Sequence, residues 1–148
     1  MEISLVDHRL LEHPPSLVAA AAVWMAREVL ERGEWTPTLV HYSSYAEEEL
    51  LGTAEIMLDY CLRPPAHPHL HKKYASKKFM RASAYVHDWA RATFPGAVIT
   101  PEDMALGKWT DECGAQHDLD MLRVDLYERH GHERPAVLPL GSSENDAA

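Results

Sequence analysis

The sequence predicts an all-α fold. Apolar residues recur at three- and four-residue steps, proline or glycine punctuates the ends of those segments, and no stretch alternates apolar with polar residues as a strand would. With 148 residues the chain has room for one hydrophobic core and an extension.

The elements follow in order. Glu2 to Glu12 carries Leu5, Val6, Leu10 and Leu11 near helical spacing, which predicts a short helix ended by Pro14-Pro15, since the residue before a proline avoids helical angles. Ser16 then caps a second helix running to about Arg32, with Gly33 just past its end. From Leu17 to Ala26 that helix is apolar all round, the mark of a helix buried on several sides, so it is expected at the centre of the domain. Thr36 as N-cap and Pro37 at the first helical position start a third helix, which ends near Ser43.

Ser44 and Glu47 have capping-box spacing and open a fourth helix, with Glu47, Glu48 and Glu49 at the positive end of its dipole. Its apolar face comprises Leu50, Leu51, Ala54, Met57, Leu58, Cys61 and Leu62, and Arg63-Pro64-Pro65 stops it. A short helix from roughly Pro68 to Tyr74 follows. The last strong helix spans about Ser76 to Thr93, with Phe79, Ala82, Val86 and Trp89 along one face and Pro95-Gly96 at its end. Thr100 to Asp103 starts a short helix, Asp118 to His130 forms another, and Gly141 to Ala148 is small, polar and expected to be disordered.

Charge is unevenly placed. The net charge is −9; residues 1–94 carry twelve acidic and ten basic side chains, hence −2, and residues 95–148 carry eleven and four, hence −7. The first part reads as a folded domain and the second as an acidic, partly disordered tail. The acidic balance argues against a nucleic-acid partner. The longest apolar run, Leu17 to Ala26, is about half of what a membrane-spanning helix needs, and the charged, proline-interrupted stretch before it is unlike a signal peptide. Two cysteines far apart, Cys61 and Cys113, fit a reducing compartment.

Active-site chemistry is not evident. The densest histidine group, His67-Pro68-His69-Leu70-His71, lacks the paired ligands of a zinc site even with Cys61 nearby, and reads as a solvated connector. No nucleophile elbow, phosphate-binding glycine loop or H-E-x-x-H pattern occurs, so neither an enzyme, a cofactor nor a small-molecule substrate is expected. Trp24, Trp35 and Trp89 read as core anchors. One cluster stands out: Lys72, Lys73, Lys77, Lys78 and Arg81 put five positive charges within ten residues of an acidic protein. Either they form a solvated face or they contact an acidic or phosphorylated partner.

Several blocks carry more than spacing. Pro14-Pro15-Ser16 with the alanine-rich helix, Gly33 to Leu39 with Trp35, Thr36 and Pro37, then Tyr42, and Tyr45 with Glu47-Glu48-Glu49-Leu50-Leu51 resemble the second cyclin box of mitotic B-type cyclins. Lys73-Tyr74-Ala75-Ser76-Lys77-Lys78-Phe79-Met80 is similar to the K-Y-x-x-x-K-F-M ending of A and B cyclins. The resemblance covers about Glu2 to Phe94 and departs at Ala46, where the family commonly has serine. It implies a five-helix cyclin box around a central apolar helix, residence in nucleus and cytoplasm, and a non-catalytic regulatory role with a cyclin-dependent kinase as partner. The N-terminal cyclin box, which supplies most kinase contact in the family, has no counterpart here, and the first helix of the second box is cut short at Met1; kinase activation by this chain alone is therefore not expected. The alternative is a cyclin-box interaction module without kinase activation, of transcription-factor or adaptor type.

Overall fold

The computed structural model describes residues 2–110, 116–118 and 124–136. Two 3-10 turns, Glu2–Leu5 and His8–Glu12, lead into five α-helices: α1 (Pro15–Val29), α2 (Pro37–Ser43), α3 (Glu47–Leu62), α4 (Pro68–Tyr74) and α5 (Ala82–Thr93). Further on lie α6 (Pro101–Leu106), the strands β1 (Lys108–Thr110) and β2 (Gln116–Asp118), and α7 (Leu126–Arg129). The strands pair antiparallel with Trp109 opposite His117, a short addition to a helical fold that no sequence pattern announced.

The middle helix is α3 rather than α1. Ten of its sixteen residues are buried, and it packs against α1, α5 and α7. α1 lies along it, burying Val18, Ala21, Trp24, Met25 and Val29 but leaving Val23 half exposed. Being apolar all round did not place α1 at the centre, because α3 is enclosed despite burying Thr53, Glu55 and Asp59. Those polar groups are tolerated because partners from distant segments satisfy them. Asp59 accepts from Arg9 Nη1 at 2.8 Å and from Arg63 Nε at 2.9 Å; Arg9 also pairs with Asp7 at 2.7 Å. Burial pushes the Asp7 carboxyl up, but the hydrogen bonds and charge of Arg9 outweigh it and hold it below the usual carboxylate range.

Local chemistry sets most helix ends. Thr36 Oγ1 accepts from Leu39 N, with Pro37 at the first position of α2. The expected Ser44–Glu47 box is displaced: Ser44 turns left-handed (φ 65°) to end α2, and Glu49 reaches back to the Ala46 amide at 2.7 Å. Ser16 does not cap α1; its hydroxyl meets Tyr45 Oη at 2.7 Å instead. Arg27 Nη2 donates to the carbonyls of Arg32 and Glu34, clamping the turn in which Gly33 takes φ 76°.

The final strong helix starts six residues later than expected, at Ala82. Lys77–Phe79 makes a 3-10 turn, and Met80 (φ 52°) and Arg81 (φ 54°) are both left-handed. Arg81 N–H bonds to Ser76 O and Met80 N–H to Lys77 O, the paired closure of a Schellman-type stop. A helix continued through this stretch would stack Lys77 over Arg81 at the positive end of its dipole, a like-charge pair in an unfavourable place.

The segment from residue 95 onward is not wholly a tail. Ala97, Ile99, Val124, Leu126 and Tyr127 are buried, and Ile99 N–H donates to Leu62 O. Glu55, its side chain fully enclosed, accepts from Leu126 N at 2.8 Å and from both Arg134 terminal nitrogens at 2.7 and 3.0 Å. Burial pushes this carboxyl up, with Arg134 partly opposing. Gly52 N donates to Tyr127 Oη at 3.2 Å, and a Cβ on Gly52 would meet the same oxygen at 3.2 Å, so a side chain there would require the phenol to give by a few tenths of an ångström. Of the expected helix from Asp118 to His130, Leu126–Arg129 forms α7 and Asp118 ends β2, while residues 119–123 lie outside the described residues. Cys113 and the end from Gly141 to Ala148 also lie outside them.

Candidate functional site

Helices α4 and α5, the end of α3 and the first 3-10 turn enclose a trough of about 370 Å³. Ile3, Leu70, Ala82 and Val86 give it apolar walls, with Cys61 and His87 among the groups that line it. Burial pushes the Cys61 thiol up to about 12, so it stays protonated and unreactive at neutral pH. Burial also lowers the His87 pKa, helped by neighbouring His71 and Arg91, while contact with the Cys61 carbonyl and Asp88 opposes that shift. The His71 and His87 rings meet edge to face at 4.9 Å.

Several of the trough's polar neighbours are already paired. Tyr60 Oη meets His67 Nδ1 at 3.0 Å, and Ser83 Oγ donates to His71 O at 2.8 Å. Lys73 Nζ donates to Glu2 at 2.7 Å, which holds the Glu2 carboxyl below its ordinary range. Paired polar rims and apolar walls suit an apolar side chain better than they suit bond-breaking chemistry. Among the described residues, no three His, Cys, Asp or Glu side chains converge to hold a metal ion. No helix among them is long and apolar enough to cross a membrane.

At the Tyr74 end of the trough lies the bend joining α4 to α5, and it carries the predicted cationic cluster. Lys72, Lys73, Lys77, Lys78 and Arg81 are all exposed. Tyr74 packs on Phe79 with ring centroids 4.9 Å apart. Lys73 Nζ lies 5.0 Å from the Tyr74 ring and Lys78 Nζ 5.7 Å from the Phe79 ring. Met80 projects into solvent, 88% exposed.

The other residues that carried the sequence resemblance sit elsewhere. Trp35 is half-buried against the core and its Nε1 donates to Tyr45 O at 3.1 Å; Thr36 and Pro37 open α2. Tyr42, on α2, is exposed with His41 beside its ring. The predicted residues therefore fall into two groups, one binding the fold to itself and one facing outward. Sequence reading missed the trough, because its walls come from four separate segments and none has a local signature.

Comparison with known proteins places these features. The model of the cyclin C-terminal domain matches residues 1–88. The G2/mitotic-specific cyclin cdc13 of Schizosaccharomyces pombe is 50% identical over 126 residues, covering 85% of this chain and 24% of that protein. The G2/mitotic-specific cyclin-B of Emericella nidulans is 50% identical over 91 residues, 62% of this chain and 19% of that protein. The G2/mitotic-specific cyclin-2 of Saccharomyces cerevisiae is 45% identical over 91 residues, 61% of this chain and 18% of that protein. The chain thus spans a quarter or less of the length of these relatives. The 126 aligned residues also carry the likeness past Phe94, beyond the limit set by the sequence blocks. No solved structure matches the chain.

Proposed function

The chain belongs to the cyclin C-terminal domain family, and from that premise we propose that it is a non-catalytic regulatory module of mitotic cell-cycle control that binds a cyclin-dependent kinase. The observation that carries this reading is the family match over residues 1–88, joined to relatives named G2/mitotic-specific cyclins. The outward-facing Lys72, Lys73, Lys77, Lys78 and Arg81 support a contact role, because exposed cations on an acidic protein complement acidic or phosphorylated surfaces. Residence in the nucleus and cytoplasm follows from the same reading.

The test is direct. The purified chain is immobilised and offered a cyclin-dependent kinase, and histone phosphorylation is followed in parallel. Weak, saturable binding without stimulation is expected. Strong stimulation would show that the chain activates the kinase by itself; absence of binding would remove the kinase as partner and leave an interaction module of another kind.

A further inference from the structure

We propose that the trough between α4 and α5 and the adjoining cationic bend form one docking site, which takes a segment of a partner protein carrying apolar side chains next to carboxylates. The inference rests on reading the Lys72–Arg81 cluster as a partner surface, and does not require the kinase to be that partner.

Shape comes first. A trough of about 370 Å³ accommodates two or three aliphatic side chains, and filling it removes apolar surface from water on both molecules. Several of its polar neighbours are spent on one another: Tyr60 on His67, Ser83 on the His71 carbonyl, Lys73 on Glu2. A polar small molecule would find few unsatisfied groups to recognise, whereas leucine-sized side chains need none.

Charge then selects among apolar occupants. The bend adds Lys77, Lys78 and Arg81 at the Tyr74 end of the trough, and among the described residues no carboxylate lies within ion-pair distance of these three. Glu2, the acidic group in the trough lining, is held by Lys73. A protein of net charge −9 that keeps this corner positive presents a field opposite to the rest of its chain. An occupant with carboxylates beside its apolar residues satisfies both halves of the site. Nucleic acid would satisfy only the bend.

The bend is also unusual in backbone. Two consecutive non-glycine residues, Met80 and Arg81, hold left-handed angles, and Met80 gains no burial from doing so. The stop turns the chain so that Arg81 precedes α5 beside the trough wall formed by Ala82, Ser83 and Val86. Cations and apolar wall are thereby brought side by side.

Fluorescence anisotropy of the full chain tests the proposal. The probe is a short labelled peptide with two leucines one helical turn apart and an adjacent run of glutamates. Saturable binding is expected. It should weaken about tenfold or more when Ala82→Trp fills the trough, when Lys77→Glu, Lys78→Glu and Arg81→Glu are combined, or when lysines replace the probe's glutamates. The charge variant alters only exposed side chains, and far-UV circular dichroism checks that both variants keep their helices.

Failure of the probe to bind, or equal binding by both variants and both probes, overturns the proposal. Self-association of the chain that Ala82→Trp abolishes would assign the trough to a second copy and also overturn it. Kinase binding is measured on the unaltered chain: no probe binding with kinase binding kept sinks the docking site alone. The converse sinks the kinase reading alone.

Discussion

Two of the blocks on which the sequence resemblance rests are physically opposite. At the corner between α1 and α3, Trp35 turns its ring against the core and its Nε1 to the Tyr45 carbonyl, while Thr36 and Pro37 spend themselves on starting α2. At the bend between α4 and α5, Lys77, Lys78 and Arg81 point into solvent around an 88% exposed Met80. Tyr42 and Tyr74 are the exceptions in each, the first exposed at the corner and the second packed on Phe79 at the bend. A sequence resemblance therefore does not by itself distinguish a fold-making residue from an outward-facing one. Burial and bonding do.

Removing side chains should break the comparison most visibly at the corner. Trp35→Ala loses core contact and leaves the Tyr45 carbonyl without its donor, and a cost of about 2–4 kcal/mol is expected, somewhat reduced because the ring is only half-buried. Met80→Ala should stay within about 0.5 kcal/mol. Urea unfolding of both variants decides it; equal losses would mean that the bend is as structural as the corner. Thr36→Ala comes next, at about 1 kcal/mol for a lost N-cap, read in the same experiment.

Backbone strain reverses the sign. Met80→Gly should stabilise the chain by about 0.5 kcal/mol, because glycine adopts φ 52° without the Cβ penalty and the exposed side chain gives up little packing. Its greater freedom in the unfolded chain keeps the gain small. A destabilised glycine variant would show that the methionine side chain packs more than its exposure implies.

Proton binding adds a contrast on the trough side. The folded His87 pKa lies below 6.5, so the unfolded chain takes up a proton first as pH falls. The stability that His87 contributes is present above 6.5 and is lost as pH drops through the depressed folded value. The effect is modest because the ring is only half-buried. The melting temperature should fall on acidification below 6.5, and His87→Phe should flatten that slope while keeping the ring contact with His71. An unchanged slope would place the proton uptake on another group.

These contrasts also show what a sequence can reveal. The bounds of α2 and α4 and the end of α3 were legible because they are written locally, in Thr36-Pro37, in Pro68 and in Arg63-Pro64-Pro65, whereas the Ser44–Glu47 spacing placed the start of α3 too early. The start of α5 was not, since a left-handed stop built on methionine and arginine carries no glycine to announce it. The central place of α3 was hidden by its own polar residues. Glu55 and Asp59 fall outside its apolar set, and their burial is met by Arg134, Arg9 and Arg63 from distant or neighbouring segments. Likewise the folded part of residues 95–136 was obscured by its acidity, which says nothing of the few apolar side chains, Ile99, Leu126 and Tyr127, that fix it to the core. The cationic cluster was visible as charge, but its neighbouring trough is a product of packing between distant segments.

The smallest effect on folding is expected where the charge change is greatest. Combining Lys77→Glu, Lys78→Glu and Arg81→Glu reverses three exposed cations, yet unfolding free energy should shift by less than about 0.5 kcal/mol. Two terms oppose each other. The Lys78 contact with the Phe79 ring is lost, at a cost of a few tenths of a kcal/mol for an exposed cation over an aromatic face. Against that, a glutamate at position 81, immediately before α5, suits the positive end of the helix dipole where arginine did not. A large loss of stability in this variant would mean that the bend, like the corner, is held together by its signature residues, and the distinction between the two blocks would fail. A stable variant with weakened partner binding would show that the same stretch of sequence is free of structural duty and kept positive for another molecule.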